Sequence, residues 1–172
     1  HSQGQYIARM DSDDIAYPDR LEKQVTFLES SPEVGAVGSL VEYKRHFHKT
    51  HGFSQYVRWN NQVISYADIL INRFIDLPVV NPSAMWRRDV AEQHGMYRSG
   101  DFPEDYEMWL RWLDEGVNIC KVPEKLLQWH DYRTRLTRTH SDYSDEAFYK
   151  IKTRYLVKWL AKYNPFHPKV VI

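Results

Sequence analysis

Two short acidic clusters carry the side chains best suited to chemistry. The first, Asp11-Ser12-Asp13-Asp14, follows a short apolar stretch and precedes Pro18. Three carboxylates this close repel one another unless a cation or hydrogen-bond donors offset their charge. Hard divalent cations take oxygen ligands, and Mg2+ or Mn2+ commonly joins one or two carboxylates to the phosphates of a substrate. The end of a strand in an α/β sheet is also where ligands usually bind. The same acids equally suit a helix start, where they complement the dipole. The second cluster, Glu104-Asp105-Tyr106-Glu107, follows Pro103 and opens a helical stretch. Capping accounts for three acids in a first turn. A carboxylate there can also project into a cleft while the helix holds its backbone, as a general base must.

The elements that would position these groups are legible from periodicity. Gln5–Met10 reads as a strand leading into the first cluster. Leu21, Val25 and Leu28 recur as one helical face after Pro18, and Ser30-Ser31-Pro32 stops that helix. Val34–Tyr43 is a valine-rich buried strand, and Lys44–Asn61 lacks a clear period and is read as a loop or mobile excursion. Ser65–Phe74 is predicted helical, with Ala67, Leu70, Ile71 and Phe74 inward. Leu77–Trp86 is extended and broken by Pro78 and Pro82, and Arg87–His94 is a short helix closed by Gly95. Glu104–Glu115 is a helix with Met108, Trp109, Trp112 and Leu113 as its apolar side, ended by Gly116. Val117–Val122 and Leu126–Trp129 read as two strands, Arg133–Asp142 as loop, and Ser144 starts a last helix running to about Tyr163. Strands alternating with helices predict an α/β fold with a mixed sheet flanked by helices.

Composition narrows the function. Lysine plus arginine equals aspartate plus glutamate, 23 each, so total charge suggests no broad grip on nucleic acid. The single cysteine, Cys120, excludes an internal disulfide, reads as a small buried hydrophobe and fits a reducing compartment. No apolar run approaches the roughly 20 residues that span a bilayer. His46, His48 and His51 are spaced as metal ligands could be, but only Glu42 lies near them, and a solvated loop is the reading. The last helix carries Lys150, Lys152, Arg154, Lys158 and Lys162, with Phe148, Ile151, Tyr155, Trp159 and Tyr163 near one stripe. Such a helix either packs its stripe on the domain or lies on a membrane surface.

The stretch from Gly4 to Asp14, Gly-Gln-Tyr-Ile-Ala-Arg-Met-Asp-Ser-Asp-Asp, followed by Pro18-Asp19-Arg20-Leu21-Glu22-Lys23-Gln24, resembles family 2 glycosyltransferases of the GT-A fold. The Glu104-Asp105 pair, with its helix and Gly116-Val117-Asn118-Ile119 after it, is similar to that family's second acidic motif. The resemblance implies that Asp11 lies near the nucleotide ribose, that Asp13 ligates Mg2+ or Mn2+ holding the diphosphate, and that Asp105 is the base, assisted by Glu104. It implies a donor-side role for Arg9 and Asn81, with Ser83 a further partner for sugar hydroxyls. His130 and Arg133, with Arg135, Arg138 and His140 beyond, fall where relatives carry diphosphate contacts. Imidazole can ligate Mn2+, and arginine suits phosphate.

An inverting transfer of a sugar, from a UDP-sugar in this reading, to a hydroxyl of a glycan or lipid-linked acceptor follows. A metal-dependent phosphoryl-transfer enzyme and a non-catalytic, degenerate binding domain are the alternatives. Residues 1–143 are read as the C-terminal portion of a GT-A-like catalytic domain, 144–163 as the amphipathic helix and 164–172 as a linker entering a cut segment. His1 and the strand-like Lys169–Ile172 are read as ends of a piece of a longer protein. The expected location is cytoplasmic, at the inner membrane face. Self-association through an uncovered sheet edge is expected for an incomplete domain.

Overall fold

A computed structural model describes residues 3–46, 51–132 and 141–163. Five strands form one mixed sheet in the order β1-β4-β3-β5-β2. They are β1 (Tyr6–Ala8), β2 (Ile15–Ala16), β3 (Val34–Arg45), β4 (Met85–Arg87) and β5 (Asn118–Asp131). β3 and β5 run parallel from Val34 opposite Asn118 to Arg45 opposite Asp131, and the other pairings are antiparallel. β3 is buried on both faces over its first six residues, as a valine-rich central strand should be. The helices are α1 (Arg20–Ser30), α2 (His51–Asn60), α3 (Tyr66–Asn72), α4 (Arg88–His94), α5 (Glu104–Asp114) and α6 (Asp145–Tyr163).

The main core joins sheet and α5. Trp86 on β4 meets Trp109 and Trp112 on α5 edge to face, with centroids 6.2 and 5.7 Å away, and all three are buried. α5 is buried from Tyr106 through Leu113, charged residues included, and Gly116, with φ 88°, turns the chain into β5. Ile151 and Tyr155 of α6 close a second cluster with Tyr106 and Leu110.

Several sequence expectations are corrected. Residues 51–60, read as part of a loop, form α2. Phe53, Tyr56, Val57 and Asn60 recur at helical spacing, and Phe53 and Tyr56 flank Trp129 at 5.7 and 6.0 Å. The two strands expected from 117 to 129 are one. Ser39 pairs with Val122 and Leu40 with Lys125, so Pro123 and Glu124 fall in the irregularity between, where a missing N–H breaks no ladder bond. The first strand is shorter than 5–10, and the extended 77–86 segment contains a 3-10 turn at Asn81–Ser83. α1 buries Arg20, Gln24 and Leu28, while Leu21 is 56% exposed. α3 buries Ile69 and leaves Ile71 exposed. Cys120 is half-buried, and burial pushes its thiol up.

Candidate active site

The polar inward face of α1 explains how the first acidic turn is held. Arg20 donates to the carbonyls of Arg9 (2.7 Å) and Ala84 (3.3 Å), and its Nε donates to Gln24 Oε1 (3.0 Å). Gln24 in turn donates to the carbonyl of Ser83 at 2.8 Å. Two backbone segments, one entering the acidic turn and one carrying Asn81, are thereby fixed to one helix. Burial lowers Arg20 to about 10, and the nearby charge of Asp14 works against that loss.

The turn leaves β1 and presents Asp11, Asp13 and Asp14 with one carboxylate oxygen of each within 4.8 Å of the others. Their environments differ. Asp14 is 6% exposed, and its Oδ1 accepts the backbone N–H of His130 at 2.8 Å, tying the turn to β5. Asp11 Oδ1 lies 2.5 Å from the Arg9 guanidinium. Asp13 is exposed, with no hydrogen bond or ion pair of its carboxylate among the described residues. Three clustered oxygen donors, one open to solvent, fit a hard divalent cation. Asp14 belongs to this set, although the sequence reading singled out only Asp11 and Asp13.

Asp105 opens α5. Its Oδ1 accepts the N–H of Tyr106 at 2.8 Å, which favours the ionised form. Burial outweighs that bond, and with the charges of Glu104 and Asp11 it pushes the Asp105 carboxyl up to about 6. Asp105 and Asp11, 94 positions apart, therefore feel each other's charge. Tyr143, in the 3-10 turn before α6, is pushed up by burial first and then by the charges of Asp105, Glu104 and Asp11. Glu104 is exposed. Glu107, in the same helical turn, is 2% exposed, accepts from Arg111 Nε at 3.1 Å and accepts the Tyr155 hydroxyl at 2.7 Å. It is a structural acid.

The remaining candidates separate. Asn81 is 8% exposed, and its Oδ1 accepts the Tyr97 hydroxyl at 3.0 Å. The charge of Arg9 acts on the Tyr97 hydroxyl, which burial pushes up. Ser83 is fully buried, its hydroxyl donating to the Val80 carbonyl at 2.7 Å, which corrects its reading as a sugar contact. Nδ1 of His130 lies 3.2 Å from His46 Nε2, and His46 stacks on Tyr132 at 4.4 Å, so this nitrogen faces an aromatic group and not the carboxylates. Arg133, Arg135, Arg138, His140 and His48 lie outside the described residues, as does the His51 side chain. Tyr97 and Tyr143 were not singled out in the sequence. Gly95, with φ 71°, stops α4 as the sequence predicts, and its carbonyl accepts from Arg111 and from Trp112 Nε1.

Comparison with known proteins gives a consistent picture. The model of the family described as "Glycosyl transferase family 2" matches residues 1–95. "Putative glycosyltransferase EpsE" of Bacillus subtilis is 54% identical over 147 residues, 84% of this chain and 50% of that protein. "Amylovoran biosynthesis glycosyltransferase AmsE" of Erwinia amylovora is 33% identical over 126 residues, 71% and 43% of the two chains. The chain spans about half the length of the curated relatives it matches. In shape it is similar to S. aureus TarS 1-349, solved in complex with UDP-GlcNAc, with a TM-score of 0.63 at 14% identity over 92% of this chain and 44% of that one.

Proposed function

The chain belongs to glycosyl transferase family 2, and on that premise we propose that it forms the metal-binding and base-bearing part of an inverting, UDP-sugar-dependent glycosyltransferase of glycan or cell-surface polysaccharide assembly. The observation that carries this reading is the Asp11, Asp13 and Asp14 cluster, with one carboxylate oxygen of each within 4.8 Å of the others, and beside it stands Asp105, whose carboxyl burial pushes up to about 6. A base works best with a pKa near the working pH, and burial beside other acids is how a carboxylate reaches it.

Asp13, with Asp11 and Asp14, would hold Mg2+ or Mn2+, which when bound offsets the charge gathering on the departing diphosphate. Arg9 and Asn81 line the donor side, and Arg133 is assigned to the diphosphate. Asp105 takes the proton of an acceptor hydroxyl as that oxygen attacks the anomeric carbon opposite the diphosphate. The C–O bond to the diphosphate breaks as the new one forms, so the configuration inverts. Glu104, exposed beside Asp105, orients the acceptor.

Support for the donor class comes from TarS, solved with UDP-GlcNAc, and for the product class from the amylovoran enzyme. We place the protein in the cytoplasm. No described helix is long and apolar enough to cross a membrane. α6 has no acid after Glu146 and exposes Tyr149, Leu156 and Leu160, which suits a lipid-linked acceptor at the inner membrane face.

The test is a transferase assay on the full-length protein with a panel of UDP-sugars, with and without Mn2+, following anomeric configuration by NMR. Metal-dependent transfer with inversion is expected. Phosphate release without a glycosidic product would sink the proposal in favour of phosphoryl chemistry.

A further inference from the structure

The Asn81 side chain is held at one end only. The residue is 8% exposed and opens the 3-10 turn Asn81–Ser83. Its backbone is fixed: Ala84 N donates to the Asn81 carbonyl at 3.1 Å, and Gln24 of α1 donates to the Ser83 carbonyl at 2.8 Å. Arg9 N donates to the Ala84 carbonyl at 2.9 Å, so this turn sits against the segment that enters the first acidic turn. Oδ1 of the amide accepts the Tyr97 hydroxyl at 3.0 Å. Nδ2 has no hydrogen bond among the described residues and is the end that solvent reaches. Tyr97 is itself anchored. Its ring packs against the main core, and the three carbonyls before it accept from α5. Arg111 donates to those of His94, Gly95 (3.1 Å) and Met96 (2.6 Å), and Trp112 Nε1 donates to Gly95 at 2.9 Å.

A free asparagine amide can turn over and present either its oxygen or its NH2. Here the Tyr97 hydroxyl proton has Oδ1 as its one acceptor among the described residues. Turning the amide over would leave that proton unpaired beside a packed ring, which costs more than an exposed loss would. We infer that Tyr97 is a positioning residue that sets the polarity of Asn81: it holds the amide oxygen back, so that Nδ2 faces the ligand and donates to an oxygen of the nucleotide sugar. A donor suits that place. Phosphate and hydroxyl oxygens accept, whereas an amide oxygen aimed at a diphosphate would oppose its charge. The clamp on residues 94–96 makes the tyrosine a fixed point, and it ties the polarity of the donor side to α5, the helix that carries the base.

This inference rests on the proposed donor site, and its test separates the two. Calorimetry on the full-length protein with Mn2+ measures the affinity of UDP and of UDP-GlcNAc for wild type, Asn81→Ala, Asn81→Asp, Tyr97→Phe and the double variant Tyr97→Phe with Asn81→Ala. Asn81→Ala is expected to weaken binding about tenfold, the size of one hydrogen bond. A loss with both ligands places the accepting oxygen on the diphosphate, and a loss with UDP-GlcNAc alone places it on the sugar. Asn81→Asp should bind no better than Asn81→Ala, because a carboxylate offers only acceptors. Tyr97→Phe should weaken binding about threefold to tenfold, up to the full worth of that bond. In the Asn81→Ala background it should cost nothing further, because no amide remains to hold. Steady-state kinetics should show both losses in donor KM and not in kcat. Wild-type affinity in Tyr97→Phe, or an equal loss with and without the Asn81 amide, would overturn the role of Tyr97 and leave the donor site standing. Wild-type affinity in Asn81→Asp would overturn the assigned polarity. Undiminished binding of both ligands by Asn81→Ala would remove Asn81 from the donor site, and this inference with it.

Discussion

The two acidic turns look alike in sequence and are built in opposite ways. The turn at Asp11–Asp14 gathers its charges and leaves Asp13 exposed, and the carboxylate repulsion there is offset by Arg9 on Asp11 and by a backbone N–H and the nearby Arg20 charge on Asp14. The turn at Glu104–Glu107 separates its charges by helical geometry: Glu107 points into the core against Arg111, while Asp105 is crowded by protein and other acids. One turn gathers oxygen donors of the kind that suit a cation. The other lifts one carboxyl until it can exchange a proton near neutral pH. Acid content alone does not distinguish these roles; the partners of each oxygen do.

The contrast can be broken experimentally, beginning with the largest effect. Asp105→Asn should keep UDP affinity while lowering turnover by roughly 10²–10⁴, the range for a lost general base; single-turnover kinetics read this directly, and lost affinity with intact chemistry would make Asp105 a binding residue. Glu107→Ala should cost about 3–5 kcal/mol of stability, because it leaves Arg111 charged and buried without its partner; chemical denaturation measures it, and a neutral outcome would remove the structural role. Asp13→Ala should weaken Mn2+-dependent UDP binding by more than the roughly 10–100-fold that outer-shell partners of a metal cost. Calorimetry checks this, and unchanged affinity would remove Asp13 from the cation site.

The smallest effects concern pH. Activity should fall as pH drops through about 6, where Asp105 takes up a proton. Bound Mn2+ offsets the Asp11 charge that helps to raise Asp105, so added Mn2+ should move that acid limb to lower pH. For stability the sign runs the other way. The folded-state pKa of Asp105 is raised, so its contribution is full below the ordinary aspartate range near pH 4 and is lost as pH rises through about 6. At pH 7.5 Asp105→Asn should therefore stabilise the fold, by about 1–2 kcal/mol. Thermal melts across pH 4–8 test both the direction and the window.

What the sequence disclosed follows from the kind of signal involved. Strand–helix alternation gave the mixed α/β sheet, and glycines gave the stops at Gly95 and Gly116. The contiguous acids were visible because they are contiguous. α2 was obscured by its polar residues, although Phe53, Tyr56, Val57 and Asn60 carry the helical period. On α1 the predicted Val25 and Leu28 do pack inward, Leu21 does not, and Arg20 and Gln24 are buried by hydrogen bonds to carbonyls that no hydropathy pattern displays. Tyr97 and Tyr143 feel the charge of the acids across long sequence separations and carry no local motif. The break expected between Val122 and Leu126 is an irregularity within one strand, and Pro123 falls in it.

The long β3–β5 seam bears on how the molecule is made. Each residue of β3 that pairs with β5 must find a partner more than eighty positions further along the chain. Closing so large a loop is entropically costly and makes central pairing a late, slow event. During synthesis, β3 leaves the ribosome long before β5 exists, with its run of Val34, Ala36, Val37 and Val41 unpaired. A nascent chain in that state is a candidate for chaperone capture. Slowing translation shortly after residue 131 should therefore favour the native yield, whereas pausing between β3 and β5 should favour aggregation.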